Sequence, residues 1–131
     1  MYVLDSHAFL WTIFEPECLS YSAREIIAEP RNDVHVSTVT FWELSLKYGI
    51  GKLDLEGVTP DVFPSAAEEA GLNILPLQAS VAASFHQLPR HAHKDPFDRM
   101  IVWQTIRRGY ELISKDSELE VYREYGLQRV W

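Results

Sequence analysis

The chain has 131 residues, of which 47% are hydrophobic and 24% charged. That size and balance describe one globular domain and exclude a disordered or collagen-like chain. Twelve basic residues stand against 19 acidic ones, a net charge of −7, which excludes a general nucleic-acid coat protein with a wide cationic face. The same balance leaves room for carboxylates gathered around a divalent ion.

Surface scaling leaves roughly 7,000 Å² exposed out of roughly 22,000 Å² for the extended chain, enough burial for one core without staples. Cys18 is the single cysteine, so no internal disulfide forms and a reducing compartment fits. The N-terminus has no basic leader, and Asp5 interrupts its apolar stretch. No segment approaches the ~20 apolar residues of a membrane span. The expectation is a cytoplasmic protein, with residues 1–131 as a single domain.

Tyr2 to Leu4 is a short apolar run that ends at Asp5. Phe9, Leu10, Ile13 and Phe14 follow at helical spacing, so a strand passes into a helix. Ser22 to Ala28 predicts a second helix, stopped near Pro30. Val34 to Ser37 alternates and predicts a strand. Thr40-Phe41-Trp42-Glu43 opens the next helix, and Gly49 and Gly51 end it. Asp61 to Ala70 predicts a helix stopped by Gly71, and Leu72 to Leu75 a strand. Ala79 to Gln87 predicts a helix, and Leu88 to Lys94 a loop. Asp95-Pro96-Phe97-Asp98 opens a helix reaching Arg108 and closed by Gly109, with Arg107 and Arg108 suited to its negative end. Glu111 to Ser114 is a strand, Ser117 to Tyr125 a short helix, and Leu127 to Val130 a last strand. The alternation implies an α/β fold with a largely parallel sheet and helices on both faces.

In such sheets a ligand binds beyond the carboxyl ends of the strands. Four acids fall at element ends there. Asp5 ends the first strand, and Glu43 lies in the first turn of the helix after the second. Asp98 lies in the first turn of the helix before the fourth strand, and Asp116 lies just beyond that strand. Singly, each has a capping explanation. Thr40-x-x-Glu43 fits a capping box, Asp95-Pro96-Phe97-Asp98 an acidic helix start, and Asp5 and Asp116 simple caps. Together they do not. Carboxylates converging within about 5 Å repel by roughly 3 kcal/mol per pair at an effective dielectric near 20. A cap is worth ~1 kcal/mol. A hard divalent cation resolves the conflict.

The motifs Val3-Leu4-Asp5-Ser6-His7-Ala8, Val36-Ser37-Thr38-Val39-Thr40-Phe41-Trp42-Glu43-Leu44, His93-Lys94-Asp95-Pro96-Phe97-Asp98-Arg99-Met100 and Leu112-Ile113-Ser114-Lys115-Asp116 closely resemble, in this order, the PIN-domain ribonucleases. They resemble most the VapC-type toxins of type II toxin–antitoxin modules, and the likeness runs from Met1 to about Val130. The resemblance implies a three-layer sandwich with a five-stranded parallel sheet in the order 3-2-1-4-5. It implies an acidic pocket for Mg²⁺ or Mn²⁺ built from Asp5, Glu43, Asp98 and Asp116, with the Ser114 hydroxyl holding a water. It implies an endoribonuclease cleaving RNA, a cognate antitoxin as inhibitor, and a homodimer. The net charge suits a cationic partner. One departure is that Ser114-Lys115-Asp116-Ser117 stands where many relatives carry Thr-Ala-Asp and an aromatic-containing turn.

Lys47, Lys52, Lys94 and Arg99 are candidates to steer phosphates, or form only a solvated face. Trp11, Phe41 and Trp42 could stack on bases, though aromatics on amphipathic helices are more often core. Trp11, Trp42 and Trp103 are equally compatible with an interface. His91-x-His93 has no Cys/His partner cluster for zinc, and Gly49 and Gly51 form no phosphate loop. Rival readings are a nuclease acting in RNA processing or on DNA, and a non-catalytic PIN-like binding module. A phosphatase with Asp5 as nucleophile would carry a second Asp at position 7, where His7 stands.

Overall fold

A computed structural model describes residues 1–131 throughout. Strands β1 (Tyr2–Leu4), β2 (Val34–Ser37), β3 (Asn73–Leu75), β4 (Glu111–Ile113) and β5 (Gln128–Val130) form one parallel sheet in the order β3-β2-β1-β4-β5. The register places Leu4 beside both Val36 and Ile113. The helices are α1 (Ser6–Phe14), α2 (Tyr21–Ala28), α3 (Thr38–Gly49), α4 (Phe63–Glu69), α5 (Ala79–Ala83) and α6 (Pro96–Arg108).

The short central strands are apolar on both sides because both faces are covered. Successive residues point to opposite faces, so Val3 and Leu112 enter one core while Leu4 and Ile113 enter the other. The first core takes Val81 of α5, Ile101 and Val102 of α6, and Tyr122. The second takes Phe9 of α1, Ala23 of α2 and Phe63 of α4. Helix α3 serves both, through Val39 and Leu44. The result is the expected three layers. The accessible surface is 7361 Å², close to the scaling expectation.

Several elements differ from the sequence reading. Two prolines, Pro60 and Pro64, divide the Asp61–Ala70 segment into a 3₁₀ turn at Pro60–Val62 and α4. The Ala79–Gln87 segment also divides, into α5 and a 3₁₀ turn at Phe85–Gln87. Between them the Ser84 hydroxyl donates back to the Ser80 carbonyl at 2.7 Å, and such back-bonding competes with helix continuation. Ser117–Tyr125 is helical over the expected bounds, in 3₁₀ form. Trp103 is core, with its indole donating to Ser84 Oγ at 3.2 Å.

Helix α3 starts earlier than predicted, at Thr38, because Ser37 caps it by accepting from Val39 N at 3.0 Å. The Thr40–Glu43 capping box therefore does not form. Glu43 lies in the second turn rather than the first, and turns inward. The same Ser37 hydroxyl donates to Gln104 Oε1 at 2.6 Å, and Gln104 Nε2 donates to the Pro76 carbonyl at 3.2 Å. This buried chain ties α6 to the ends of β2 and β3.

Candidate active site

The strand order reverses direction between β1 and β4, and a crevice opens beyond their carboxyl ends, where such sheets bind ligands. Asp5 follows β1 directly, and its backbone N–H donates to the Ile113 carbonyl at 3.1 Å. Its side chain does two jobs. Oδ1 caps α1 by accepting from Ala8 N at 2.8 Å, and Oδ2 accepts from Ser114 Oγ at 2.5 Å. Ser114 in turn accepts from Asp116 N at 3.1 Å, so one hydroxyl joins the ends of β1 and β4. Burial raises the Asp5 pKa, opposed by the Ser114 and Ala8 hydrogen bonds and the charge of His7, and assisted by the charge of Asp116.

Asp98 enters from the first turn of α6. Asp95 caps that helix, accepting from Phe97 N at 2.9 Å and Asp98 N at 3.1 Å, and Pro96 opens it. The His93 ring bonds Asp98 Oδ2 through Nε2 at 3.0 Å, and its Nδ1 lies 3.9 Å from Asp116 Oδ2. Burial first, then the charges of Asp95 and Glu43, push the Asp98 pKa up to about 6 against the opposing pull of His93. Asp116 caps the Ser117–Tyr125 turn through Oδ1, which accepts from Glu118 N at 3.0 Å. Asp5, Asp98 and Asp116 line one open cleft of about 310 Å³ with His7, Trp11, Lys115 and Leu119.

Glu43 lies beside this cleft, grouped with Asp95 and Asp98, and lines the neighbouring pocket. It is 3% exposed. Oε1 accepts from Ser6 Oγ at 2.6 Å, and Oε2 accepts from Lys47 Nζ, one turn further along α3. The Thr40 hydroxyl lies 3.2 Å from Ser6 Oγ. Two groupings of donor atoms result, each with every member within 4.8 Å of the others: His93, Asp98 and Asp116, and Glu43, Asp95 and Asp98. Asp98 belongs to both.

The chain matches the PIN domain over residues 2–125. It belongs to the PIN-domain family. It is 30% identical to Ribonuclease VapC22 of Mycobacterium tuberculosis over 129 residues, spanning 98% of this chain and 97% of that protein. The PIN fold is shared with solved structures at lower identity. VapBC2 from Rickettsia felis, bound to a promoter DNA fragment, superposes with a TM-score of 0.69 at 18% identity, covering 98% of this chain and 96% of that one. FitAcB from Neisseria gonorrhoeae does so with 0.62 at 22%, covering 100% and 97%.

The structure thus brings all four predicted acids to one end of this PIN sheet, although Asp5 and Glu43 sit on its inner side and Asp98 and Asp116 at its rim. Capping and convergence are not rivals: Asp5 and Asp116 each cap with one oxygen and present the other toward their neighbours. Ser114 braces Asp5 with the hydroxyl that was expected to hold a water. Two members escaped the sequence reading. Asp95 looked like a cap alone, and His93 like a polar loop residue. His93's place in the His93-Lys94-Asp95-Pro96-Phe97-Asp98 run, five residues before an acid that opens a helix, was the available signal.

The expected phosphate-steering residues divide. Arg99 turns away, donating to the Leu88 carbonyl at 3.1 Å with its guanidinium 4.8 Å from the Phe85 ring centre. Lys47 and Lys52 line a neighbouring pocket of about 260 Å³ with Glu43 and His7. Lys115, which was not among the expected residues, sits at the cleft, 5.9 Å over the Trp11 ring. Phe41 packs edge-on against Phe9 in the second core, whereas Trp42 is 62% exposed. His91 bonds Tyr125 Oη at 3.0 Å, so it and His93 serve different partners.

Proposed function

We propose that the chain, as a single PIN domain over 1–131, is a divalent-metal-dependent endoribonuclease of the VapC toxin type. The observation that carries this reading is the meeting of Asp98 and Asp116 with His93, beside Asp5 and Glu43, in a cleft at the strand ends. The name of the 30% identical relative supports ribonuclease activity. The donor chemistry fits a metal. The set is dominated by hard carboxylate oxygens, which suit magnesium or manganese. Asp98 and Asp116 are half-exposed, and each is hydrogen-bonded through only one of its oxygens.

Asp98 and Asp116 would hold the ion, with Asp5 completing the set and Glu43 on its inner side. Bound there, a dication supplies charge neutralisation at the scissile phosphate and an acidified water at neutral pH. The chain's residues supply the placement. Ser114 fixes Asp5 against Asp116, and His93 fixes Asp98. Glu43 backs the site from its inner side, its oxygens held by Ser6 and Lys47. Lys52 and Lys115 draw the RNA backbone toward the cleft, and Trp11 offers a ring beside it for a base. In-line attack of water would break the phosphodiester, and the resemblance to PIN-domain ribonucleases implies 5′-phosphate and 3′-hydroxyl ends.

A small antitoxin is the proposed inhibitor. Structures of VapBC from Rickettsia felis and from Salmonella typhimurium among the fold's neighbours support that partner, as does the net charge of −7. A homodimer is proposed as well. Trp42 and Leu46 on one stripe of α3 and Ile50 just past its end are each at least 40% exposed, and exposed apolar side chains so grouped suit an interface. No helix is long and apolar enough to cross a membrane.

The test is cleavage of labelled RNA and DNA by the purified chain, with magnesium, with manganese and with chelator. Metal-dependent cleavage of RNA that Asp98→Asn removes is the expected result. Cleavage of DNA in preference to RNA would favour a DNA-directed nuclease. No turnover with any metal would favour a binding module.

A further inference from the structure

The two donor groupings share Asp98, and a shared carboxylate can bridge a pair of ions about 3.5–4 Å apart, the spacing of two-metal sites. On composition alone this chain offers two places. They are not equivalent. In the outer grouping the basic member is His93, whose ring nitrogen carries a lone pair when neutral and can itself become a ligand. On the inner grouping sits Lys47, whose ammonium has three donors and no acceptor. It can only stand where an ion would stand.

Lys47 is well placed to do so. It lies four residues beyond Glu43 on α3, so the helix itself delivers Nζ to Oε2. The Lys47 side chain is 33% exposed and its partner is buried. Its charge also acts on Asp95 and Asp98, the other two members of the inner grouping. Glu43 is left with no unengaged oxygen, because Ser6 donates to Oε1. Asp95 is partly committed as well, its Oδ1 capping α6. A dication entering here would face a positive charge already in contact with the carboxylate it needs.

We infer that Lys47 is a built-in second cation: it fills the inner position of the carboxylate cluster, so that the chain takes one divalent ion where its acids outline two places. The inference rests on the metal-nuclease reading and sharpens it. Lys47 is then a positioning residue, holding Glu43 in its buried place and free of metal.

Manganese titration of the full chain tests this, with the bound ion counted by equilibrium dialysis and observed by electron paramagnetic resonance. The wild-type chain is expected to bind one Mn²⁺ with the spectrum of an isolated ion. Lys47→Met is expected to bind two, with a spectrum broadened by coupling between them, and Lys47→Arg to bind one. The double variant Lys47→Met/Glu43→Gln removes both partners of the buried pair and is expected to return to one. Lys47→Gln replaces Lys47→Met if that variant loses its native circular dichroism. Two ions in the wild-type chain would overturn the inference and leave the nuclease reading standing. One ion in a folded variant lacking the ammonium would overturn it as well. No binding by the wild-type chain would remove the nuclease reading, and the inference with it.

Discussion

The inner and outer acids of the cleft are built differently. Asp5 and Glu43 have both oxygens engaged by the chain's own donors: Ala8 N and Ser114 for one, Ser6 and Lys47 for the other. Asp98 and Asp116 are half-exposed, and each keeps one oxygen without a hydrogen bond. The inner acids hold the strand ends and α3 in place whether or not a ligand is present. The outer acids are free to exchange partners. One cleft thus separates rigidity from exchange by how many donors reach each carboxylate.

The largest effect should fall on an outer acid. Asp98→Asn is expected to lower RNA cleavage by at least about 100-fold, the scale of losing one group that stabilises transition-state charge. The fold should not suffer. Burial and Asp95 disfavour a charge at Asp98, so the metal-free variant should melt at or above the wild-type temperature near pH 7. A clear drop in melting temperature would break the contrast, because it would make Asp98 a brace like Asp5.

The same asymmetry sets a pH dependence. The folded pKa of Asp98 is about 6, above its ordinary 3.8. Between these values the folded state holds a proton that the unfolded state has released, so unfolding free energy falls as pH rises from about 4 to about 6. The buried Asp5, also raised, acts in the same direction. The expected loss from Asp98 is at most about 3 kcal/mol. Saturating Mn²⁺ should oppose the trend, since the ligands must be ionised to bind. Melting curves at pH 5 and pH 7.5, with chelator and with Mn²⁺, check both signs.

The layered fold was legible in the sequence because its signals are local. Apolar runs such as Val34–Ser37 ending at a capping residue mark strands feeding helices, and Gly109, at φ 69°, stops α6 where it was expected. Asp5, Asp98 and Asp116 were legible for the same reason, since each sits at an element end, whereas Glu43 lies a turn inside α3. Pairing was not legible. Nothing near Glu43 in the chain announces Ser6, 37 residues away, and nothing near Asp5 announces Ser114, 109 residues away. Local spacing instead suggested a Thr40–Glu43 capping box, which Ser37 pre-empts. Burial decides such cases, and burial is a property of the packed sheet.

Ser114 tests the inner side directly. Ser114→Ala removes the donor to Asp5 Oδ2 and leaves Asp116 N without its acceptor. A buried group left unpaired costs about 1–3 kcal/mol, and urea unfolding should show a loss in that range. Activity should fall by roughly 10–100-fold, as for partners that orient metal ligands. An Ala variant as stable as wild type would mean that Asp5 is held by its helix cap alone.

The smallest effect separates the cations that face the cleft from the one that does not. Arg99 follows Asp98 in sequence, yet its guanidinium lies over Phe85 and donates to the Leu88 carbonyl, bracing the start of the loop that carries His93. Arg99→Lys keeps the charge and loses this geometry. It should cost about 1 kcal/mol of stability, the worth of one such hydrogen bond, and leave the salt dependence of RNA binding unchanged. Lys115→Ala should do the reverse. It removes a cation at the cleft mouth with little cost to the fold, and should reduce the slope of log affinity against log salt by roughly 0.7, the increment for one single-strand phosphate contact. Binding isotherms with catalytically dead Asp98→Asn protein at several salt concentrations read both slopes. A slope shallower than that of the parent for Arg99→Ala, which removes the charge that Arg99→Lys keeps, would place Arg99 on the RNA path and return it to the steering role its sequence position suggested.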